Sequence, residues 1–268
     1  MIGVDETGPV ALADRLWQAA VDRRPIEPIT RIRPDLTAQD AYAIQAHNIK
    51  RRVATGAVVK GRRMGRTSRP RQLVLGVDEP EFGVVLDDMF LDEGDDIPLE
   101  LFVQPRVVAT IAFALATDLA GPGVTVADAL TAVAGVMPAI EIVDSRIASW
   151  QVQVADAIAD NASAGKVVLG GRITPVTAVD LRLVGVLLDR NGVPLESAAG
   201  AAAMGNPARC VEWLANKLGS DGEGLRRGDI VLAGPLHRMV PVRPGDFYHA
   251  RFAHLGSVTV QFTDGRAE

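Results

Sequence analysis

Apolar residues recur at helical spacing from about Val10 to Val21, where Leu12, Leu16, Trp17, Ala20 and Val21 share a face. A Pro-rich connection from Arg24 to Pro34 ends this segment. Thr37-Ala38-Gln39-Asp40 then places an acidic residue three positions after a hydroxyl, the signature of a helix start. That second helix runs through Tyr42, Gln45, Ile49 and Val53 and stops at Gly56. Beyond Gly56 the pattern becomes strand-rich. Gln104 to Leu115, Ala139 to Val143 and Lys166 to Leu169 read as buried strands, the last two separated by a polar loop, Asp160-Asn161-Ala162-Ser163. A Thr-x-x-Asp start predicts a helix from Thr125 to Val136. Asn191-Gly192 lies between the apolar runs 181–189 and 193–199, a strong hairpin signal. An amphipathic helix is expected from Pro207 to Leu218, ending at Gly219, with Val211, Leu214, Ala215 and Leu218 inward. Strands are expected at 229–233, 247–252 and 257–262.

This order of elements fits a single α+β domain over residues 1–268, with a helical portion to about residue 56 and a β-rich portion from about 57. There are no internal repeats and no low-complexity tracts. A hydrophobic fraction of 48% is ample for a large core, and the net charge of −5 is mildly acidic. The arginines at 62, 63, 66, 69 and 71 form only a local basic cluster, so no nucleic-acid partner is expected. The N-terminus lacks a basic region followed by an apolar core, and Val107 to Ala120 is interrupted by Thr110, Thr117 and Asp118. Neither a signal peptide nor a membrane span is expected, and the compartment read from this is the cytoplasm. The lone cysteine, Cys210, fits a reducing environment and has no reactive signature.

Glu141 stands out chemically because it lies in a run of Ile140, Ile142 and Val143. Burying a carboxylate there is costly unless it is paired, hydrogen-bonded or bound to a metal. One reading is structural, with Glu141 bonded to Arg146 or to backbone amides. The other gives it a chemical role. Asp78, just before Pro80, reads as a turn residue by chemistry alone. His237, as a lone histidine, reads as an ordinary polar residue, yet it is the best unclaimed acid–base candidate.

Several motifs favour chemistry. Glu141 to Ile147 reads E-I-V-D-S-R-I, followed by D-N-A-S at 160–163 and V-L-G at 168–170. A-Y-A-I-Q occupies 41–45, G-V-D-E-P occupies 76–80 and Q-P-R-V-V-A-T-I-A-F-A-L occupies 104–115. Together, from about Leu12 to Phe262, these resemble the 2-keto-4-pentenoate hydratase family of the fumarylacetoacetate hydrolase superfamily, which includes 4-oxalocrotonate decarboxylases. The resemblance implies a fumarylacetoacetase-type mixed β-sheet roll with an N-terminal helical portion, a homo-oligomer, and a lyase that hydrates a 2-hydroxy-2,4-dienoate to a 4-hydroxy-2-oxo acid. It implies active-site roles for Asp78, Asn161 and Ser163 and places His237 near the substrate.

Resemblance also exposes departures. The family strand matching 104–115 carries two glutamates which, with the one matching Glu141, hold Mg²⁺ or Mn²⁺; oxygen ligands of this kind suit a hard cation. Here those positions are Val108 and Thr110. Valine cannot ligate a metal and a threonine hydroxyl is a weak neutral ligand, so no bound metal cofactor is expected. The family lysine is matched by Arg63. Arginine cannot act as a base, but its planar fork of donors suits a carboxylate. Lys60 lies at an odd offset, on the opposite face of a regular strand.

Three functions follow from these departures. The first is a metal-independent hydratase-like lyase in which Arg63 anchors the carboxylate or enolate of a small 2-oxo acid or dienoate, with Asp78 or Glu141 as acid–base and Asn161, Ser163, Val108, Thr110 and His237 shaping the site. The second is a metal-independent isomerase or cyclase recruited to a biosynthetic pathway, favoured by the apolar Val108. The third is a non-catalytic paralogue that binds a ligand or a partner subunit. A continuous polar pocket, an enlarged apolar pocket or a filled core, respectively, would distinguish them.

Overall fold

The structure, a computed structural model, describes residues 7–264. Part of the N-terminal stretch on which the signal-peptide expectation rests lies outside them. Three helices come first: α1 (Pro9–Asp22), α2 (Ile29–Ile32) and α3 (Ala38–Ala54). In α3 the Thr37 hydroxyl accepts the Asp40 backbone N–H at 3.1 Å, and Asp40 Oδ2 accepts from the Thr37 N–H at 3.2 Å, so the expected capping box is formed. The chain continues through β1 (Val59–Gly65), α4 (Arg69–Leu75), β2 (Glu81–Leu86), β3 (Phe90–Leu91), β4 (Asp96–Pro98), β5 (Arg106–Leu115), α5 (Val126–Ala132) and β6 (Val133–Val143). Then follow α6 (Val154–Ala159), β7 (Lys166–Leu169), β8 (Gly185–Arg190), β9 (Val193–Ala199) and α7 (Ala208–Ser220). The short strands β10 (Ile230–Leu232) and β11 (Val240–Pro241) and the long β12 (Phe247–Phe252) and β13 (Gly256–Thr263) close the fold.

Two sheets organise these strands. The larger runs β2-β1-β10-β5-β6-β7-β3, with β11 also paired to β5, and the smaller runs β4-β13-β12-β8-β9. Both are mixed: β1 is parallel to β10, β3 to β7 and β13 to β4, while most other neighbours are antiparallel. The expected α+β roll is therefore the fold observed. One face of the large sheet presents Phe113, Ile140 and Ile142 to a core completed by Tyr248, Val260 and Phe262 of the small sheet and by Val211 and Leu214 of α7. The other face presents Ala112, Ala139, Val167 and Leu232, with Met89 and Leu86, towards Ile49 of α3. A separate apolar cluster joins α1, α3 and α6 through Leu12, Leu16, Ile44 and Ile158.

Two expected helix ends move. The helix predicted at 125–136 stops at Ala132, and β6 begins at once. Val133, Gly135 and Val136 pair with Leu115, Ala114 and Phe113, so ladder hydrogen bonds and a β-branched preference for extended backbone outweigh a continued helical turn. The last helix passes through Gly219 and ends at Ser220. Asn191 and Gly192 take φ of 53° and 79°, as a two-residue hairpin between β8 and β9 requires.

Cys210 is fully buried on α7, with its sulfur 3.1 Å from the Ala233 carbonyl, and burial pushes its thiol upward in pKa. A water-soluble aromatic disulfide reagent is expected to leave the native protein unlabelled and to titrate one thiol per chain after denaturation. Rapid labelling of the folded protein would contradict this packing.

Candidate active site

The alternation of β-strands decides which side chains meet. Ala112, Thr110 and Val108 lie two residues apart along β5, and so do Ala139 and Glu141 along β6; each series therefore shares a face. Val108 is the Cα partner of Glu141, and Thr110 that of Ala139. Leu232 of β10 partners both Arg63 of β1 and Ala112 of β5. Arg63, Thr110, Val108 and Glu141 thus sit together on the face that the N-terminal helices cover. Lys60 does not join them. The strand is bulged between Val59 and Gly61, but Lys60 remains exposed and lines a cleft with Arg62.

Although β10 and β5 lie between β1 and β6 in the large sheet, the side chains of Arg63 and Glu141 meet. Arg63 Nε donates to Glu141 Oε2 at 2.6 Å and its Nη1 donates to the Ala162 carbonyl. The two side chains are 5% and 2% exposed, so this is a buried ion pair. Nη2 makes no hydrogen bond among the described residues, and Glu141 Oε1 is buried with no partner. The partner of Glu141 is therefore Arg63, distant in sequence, and not Arg146. Arg146 instead pairs with Asp160. Burial pushes the Asp160 carboxyl up to about 6 even against this guanidinium.

Arg146 has a second task. Besides gripping the Asp160 carboxylate, its Nη2 donates to the Asp160 carbonyl at 2.7 Å and its Nη1 to the Ala164 carbonyl at 3.2 Å. Those carbonyls bracket Asn161, Ala162 and Ser163, which take φ of 53°, 51° and 55°. A left-handed turn of three L-residues costs roughly 1–2 kcal/mol per residue and persists only where its surroundings impose it. Asn161 supplies the other clamp: its Oδ1 accepts the Val84 N–H at 2.7 Å and its Nδ2 donates to the Val84 carbonyl at 2.9 Å. Next to Val84, a Cβ on Gly83 would overlap the Asn161 carbonyl oxygen, so only glycine fits there. This strained turn aims the Ala162 carbonyl at Arg63. Ser163 is 6% exposed, and its hydroxyl makes no hydrogen bond among the described residues.

The remaining expected residues are placed as follows. Thr110 is fully buried, and its hydroxyl donates to the Gly234 carbonyl at 2.8 Å. His237 uses both ring nitrogens: Nε2 accepts the Ala109 N–H at 2.9 Å and Nδ1 donates to the Arg238 carbonyl at 2.7 Å. Burial lowers its pKa, which favours this neutral tautomer. Asp78 is exposed in the turn between α4 and β2, with no hydrogen bond or ion pair among the described residues. Glu81 was not foreseen. It is 5% exposed, pairs with Arg66 at 2.7 Å, and is shifted upward by burial against the opposing pull of Arg66 and Arg63. The signal available was Gly65, its Cα partner on β1, where a Cβ would press on the Glu81 carboxylate.

These residues do not fit the divalent metal that the family implies. Val108 has no donor atom, Thr110 offers only a neutral hydroxyl that is already tied to the Gly234 carbonyl, and the Arg63 guanidinium is paired with Glu141. No cluster of three or more His, Cys, Asp or Glu that could hold a metal occurs among the described residues.

A cavity of about 10 Å³ adjoins Arg63 and Glu141, lined also by Val85, Met89, Ala164, Val167 and Leu232. It has room for one water at most. It shares Met89, Ala164, Gly165 and Lys166 with a larger cavity of about 220 Å³ beneath α1 and α3, whose walls include Trp17, Ile49, Arg52 and Phe102.

Residues 52–263 match the model of the fumarylacetoacetate (FAA) hydrolase C-terminal family, and the chain belongs to that family. Among its relatives, the 2-keto-4-pentenoate hydratase of Paraburkholderia xenovorans (strain LB400) is 44% identical over 250 residues, covering 93% of each chain. The 2-hydroxyhexa-2,4-dienoate hydratase of Comamonas testosteroni is 40% identical over 252 residues, covering 93% of this chain and 96% of that one. Among solved structures, 4-oxalocrotonate decarboxylase from Pseudomonas putida G7, complexed with magnesium and adipate, superposes with a TM-score of 0.92 at 33% identity, covering 95% of this chain and 97% of the other. The hydratase-like lyase class expected from the motifs agrees with these relatives. No helix among the described residues is long and apolar enough to cross a membrane.

Truncating one member of a buried ion pair leaves the other charge unmatched. Arg63→Ala is expected to lower unfolding stability by about 3–5 kcal/mol, and the Arg63→Met/Glu141→Leu double variant by much less. Urea denaturation of the three proteins checks this. Equal losses in the single and double variants would show that Glu141 does not depend on Arg63.

Proposed function

We propose that this chain is a hydratase-like lyase acting on a small 2-hydroxydienoate or 2-oxo acid, with the Arg63 guanidinium in the place of a divalent metal. The observation that carries this reading is the partial use of Arg63: two of its nitrogens are anchored by Glu141 and the Ala162 carbonyl, and Nη2 is left over. A fixed cation with a spare donor suits the carboxylate or developing enolate of a 2-oxo acid, and its preorganisation is what gives such a contact catalytic value.

Glu141 Oε1, buried without a partner, is the group that moves the proton. In the reaction read here, the dienol hydroxyl loses its proton to Oε1 and the terminal carbon gains one, giving the 2-oxo-3-enoate. Water then adds at carbon 4, and its second hydrogen goes to carbon 3. Ser163, on the same turn, is read as orienting an oxygen of the substrate. Asp78 takes part only if its exposed turn folds inward. The larger cavity is the substrate's approach, with Met89 and Ala164 as the wall that must yield.

A second reading has its own support. With only about 10 Å³ beside Arg63 and Glu141, the old centre is close to a filled core, as a non-catalytic ligand- or subunit-binding paralogue would have it.

Ultraviolet absorbance of 2-hydroxypenta-2,4-dienoate, followed once with Mg²⁺ and once with a chelator, separates these readings. The lyase reading expects loss of the dienol signal under both conditions, and Arg63→Gln is expected to reduce kcat/KM roughly 100- to 1,000-fold. Loss only with Mg²⁺ would overturn the guanidinium's role. No loss in either case would favour the non-catalytic reading.

A further inference from the structure

On the opposite side of β1 lies a second cleft, of about 520 Å³, formed where the start of the strand meets the Gly222–Asp229 loop between α7 and β10. Its walls carry four cationic side chains: Lys60, Arg62, Arg226 and Arg227. The acids facing them are Glu223 and Asp229 within the cleft, Asp118 against Arg226, and Asp87, which feels the charge of Lys60.

Most of these acids are already engaged. Asp118 accepts from Arg226 Nη1 at 3.1 Å and from the Arg227 N–H at 2.8 Å, and Asp229 accepts the Arg226 N–H at 2.8 Å. Asp87 accepts the Val58 N–H at 2.9 Å. Glu223 comes no nearer to Arg62 than 3.6 Å, and its side chain is 63% exposed.

Arg62 is the unusual member. Its side chain is only 12% exposed, its Nε is buried with no partner, and its Nη1 reaches only the carbonyl of its neighbour Gly61, at 3.1 Å. Desolvation of this guanidinium lowers its pKa. A buried guanidinium short of acceptors is costly in a folded protein, and the cost is recovered when an anion arrives. The side chains of Lys60 and Arg227 have no hydrogen bond or ion pair among the described residues, and both are exposed at the mouth.

We propose that this cleft is a binding site for a phosphomonoester. A phosphate dianion offers three terminal oxygens to cations converging from a strand and a loop, and guanidinium forks match that geometry better than they match a single carboxylate. The cleft is larger than an anion alone requires, so an organic body lies beyond the phosphate, against Val59 and the glycines 222, 224 and 228. The site is separate from the Arg63–Glu141 centre because successive residues of a strand point to opposite faces. It stands whether or not the proposed chemistry at Arg63 does.

The test is isothermal titration of the full chain with phenyl phosphate, inorganic phosphate and succinate. The expected result is saturable binding of one phenyl phosphate per chain, at least tenfold tighter than either of the others and weakened by added salt. The exposed double variant Lys60→Ala/Arg227→Ala should reduce this affinity at least tenfold without altering the thermal transition. Arg62→Gln should abolish binding, and since it alters a half-buried residue the exposed variant carries the test if it fails to fold. Absence of saturable binding, binding unchanged in the double variant, or inorganic phosphate or succinate binding as tightly as the ester would each overturn the assignment.

Discussion

The buried Arg63 guanidinium and the buried Glu141 carboxylate hold each other inside the large sheet. Neither Arg63 nor Glu141 could be enclosed alone, because removing an isolated ion from water costs several kcal/mol. Together they fix the relative positions of β1 and β6, which are separated by β10 and β5 in the large sheet. The pair also explains why Val108 and Thr110 are tolerated between them. With one positive charge supplied from β1, further carboxylates on β5 would leave excess negative charge in a dry space.

That pair is held from outside by a turn that no local preference would form. Asn161, Ala162 and Ser163 are kept left-handed by the clamps of Arg146, the side chain of Asn161 itself and the absence of a side chain at Gly83. Strain at such a place is informative because ordinary loops lose it readily. It sets the Ala162 carbonyl against Arg63, so the orientation of the guanidinium comes from four separate stretches of chain. The helices above, α1 and α3, then close the face. The solved relative that is complexed with magnesium and adipate shares this architecture; in this chain the buried Glu141 carboxylate faces the Arg63 guanidinium.

Much of this could be read from the sequence wherever the signal was local. The capping box at Thr37 and Asp40, the Asn191-Gly192 hairpin and the common face of Val108 and Thr110 all follow from spacing within one element. The partner of Glu141 did not follow, because contact between strands that are not sheet neighbours leaves no pattern in either segment, and Arg146 was the nearer arginine in sequence. The end of the helix at Ala132 was missed for a related reason: Val133 to Val136 can serve a helix, and only the waiting edge of β5 decides for a strand. The bulge at Lys60 is likewise a property of the pair β1–β2 rather than of β1 alone.

The bulge has an evolutionary consequence. β1 presents two consecutive arginines, one to the interior and one to the outer cleft, and a strand has a period of two. A one-residue insertion or deletion before Gly61 would therefore exchange their assignments at a stroke, sending Arg62 towards Glu141 and Arg63 outward, unless the bulge absorbed it. With an extra residue already accommodated between Val59 and Gly61, the strand can take up a change in length upstream while Gly61, Arg62 and Arg63 keep their pairing with Ile230, Val231 and Leu232. The connection from α3 is thus free to drift in length across descendants, whereas the three residues that follow the bulge are not.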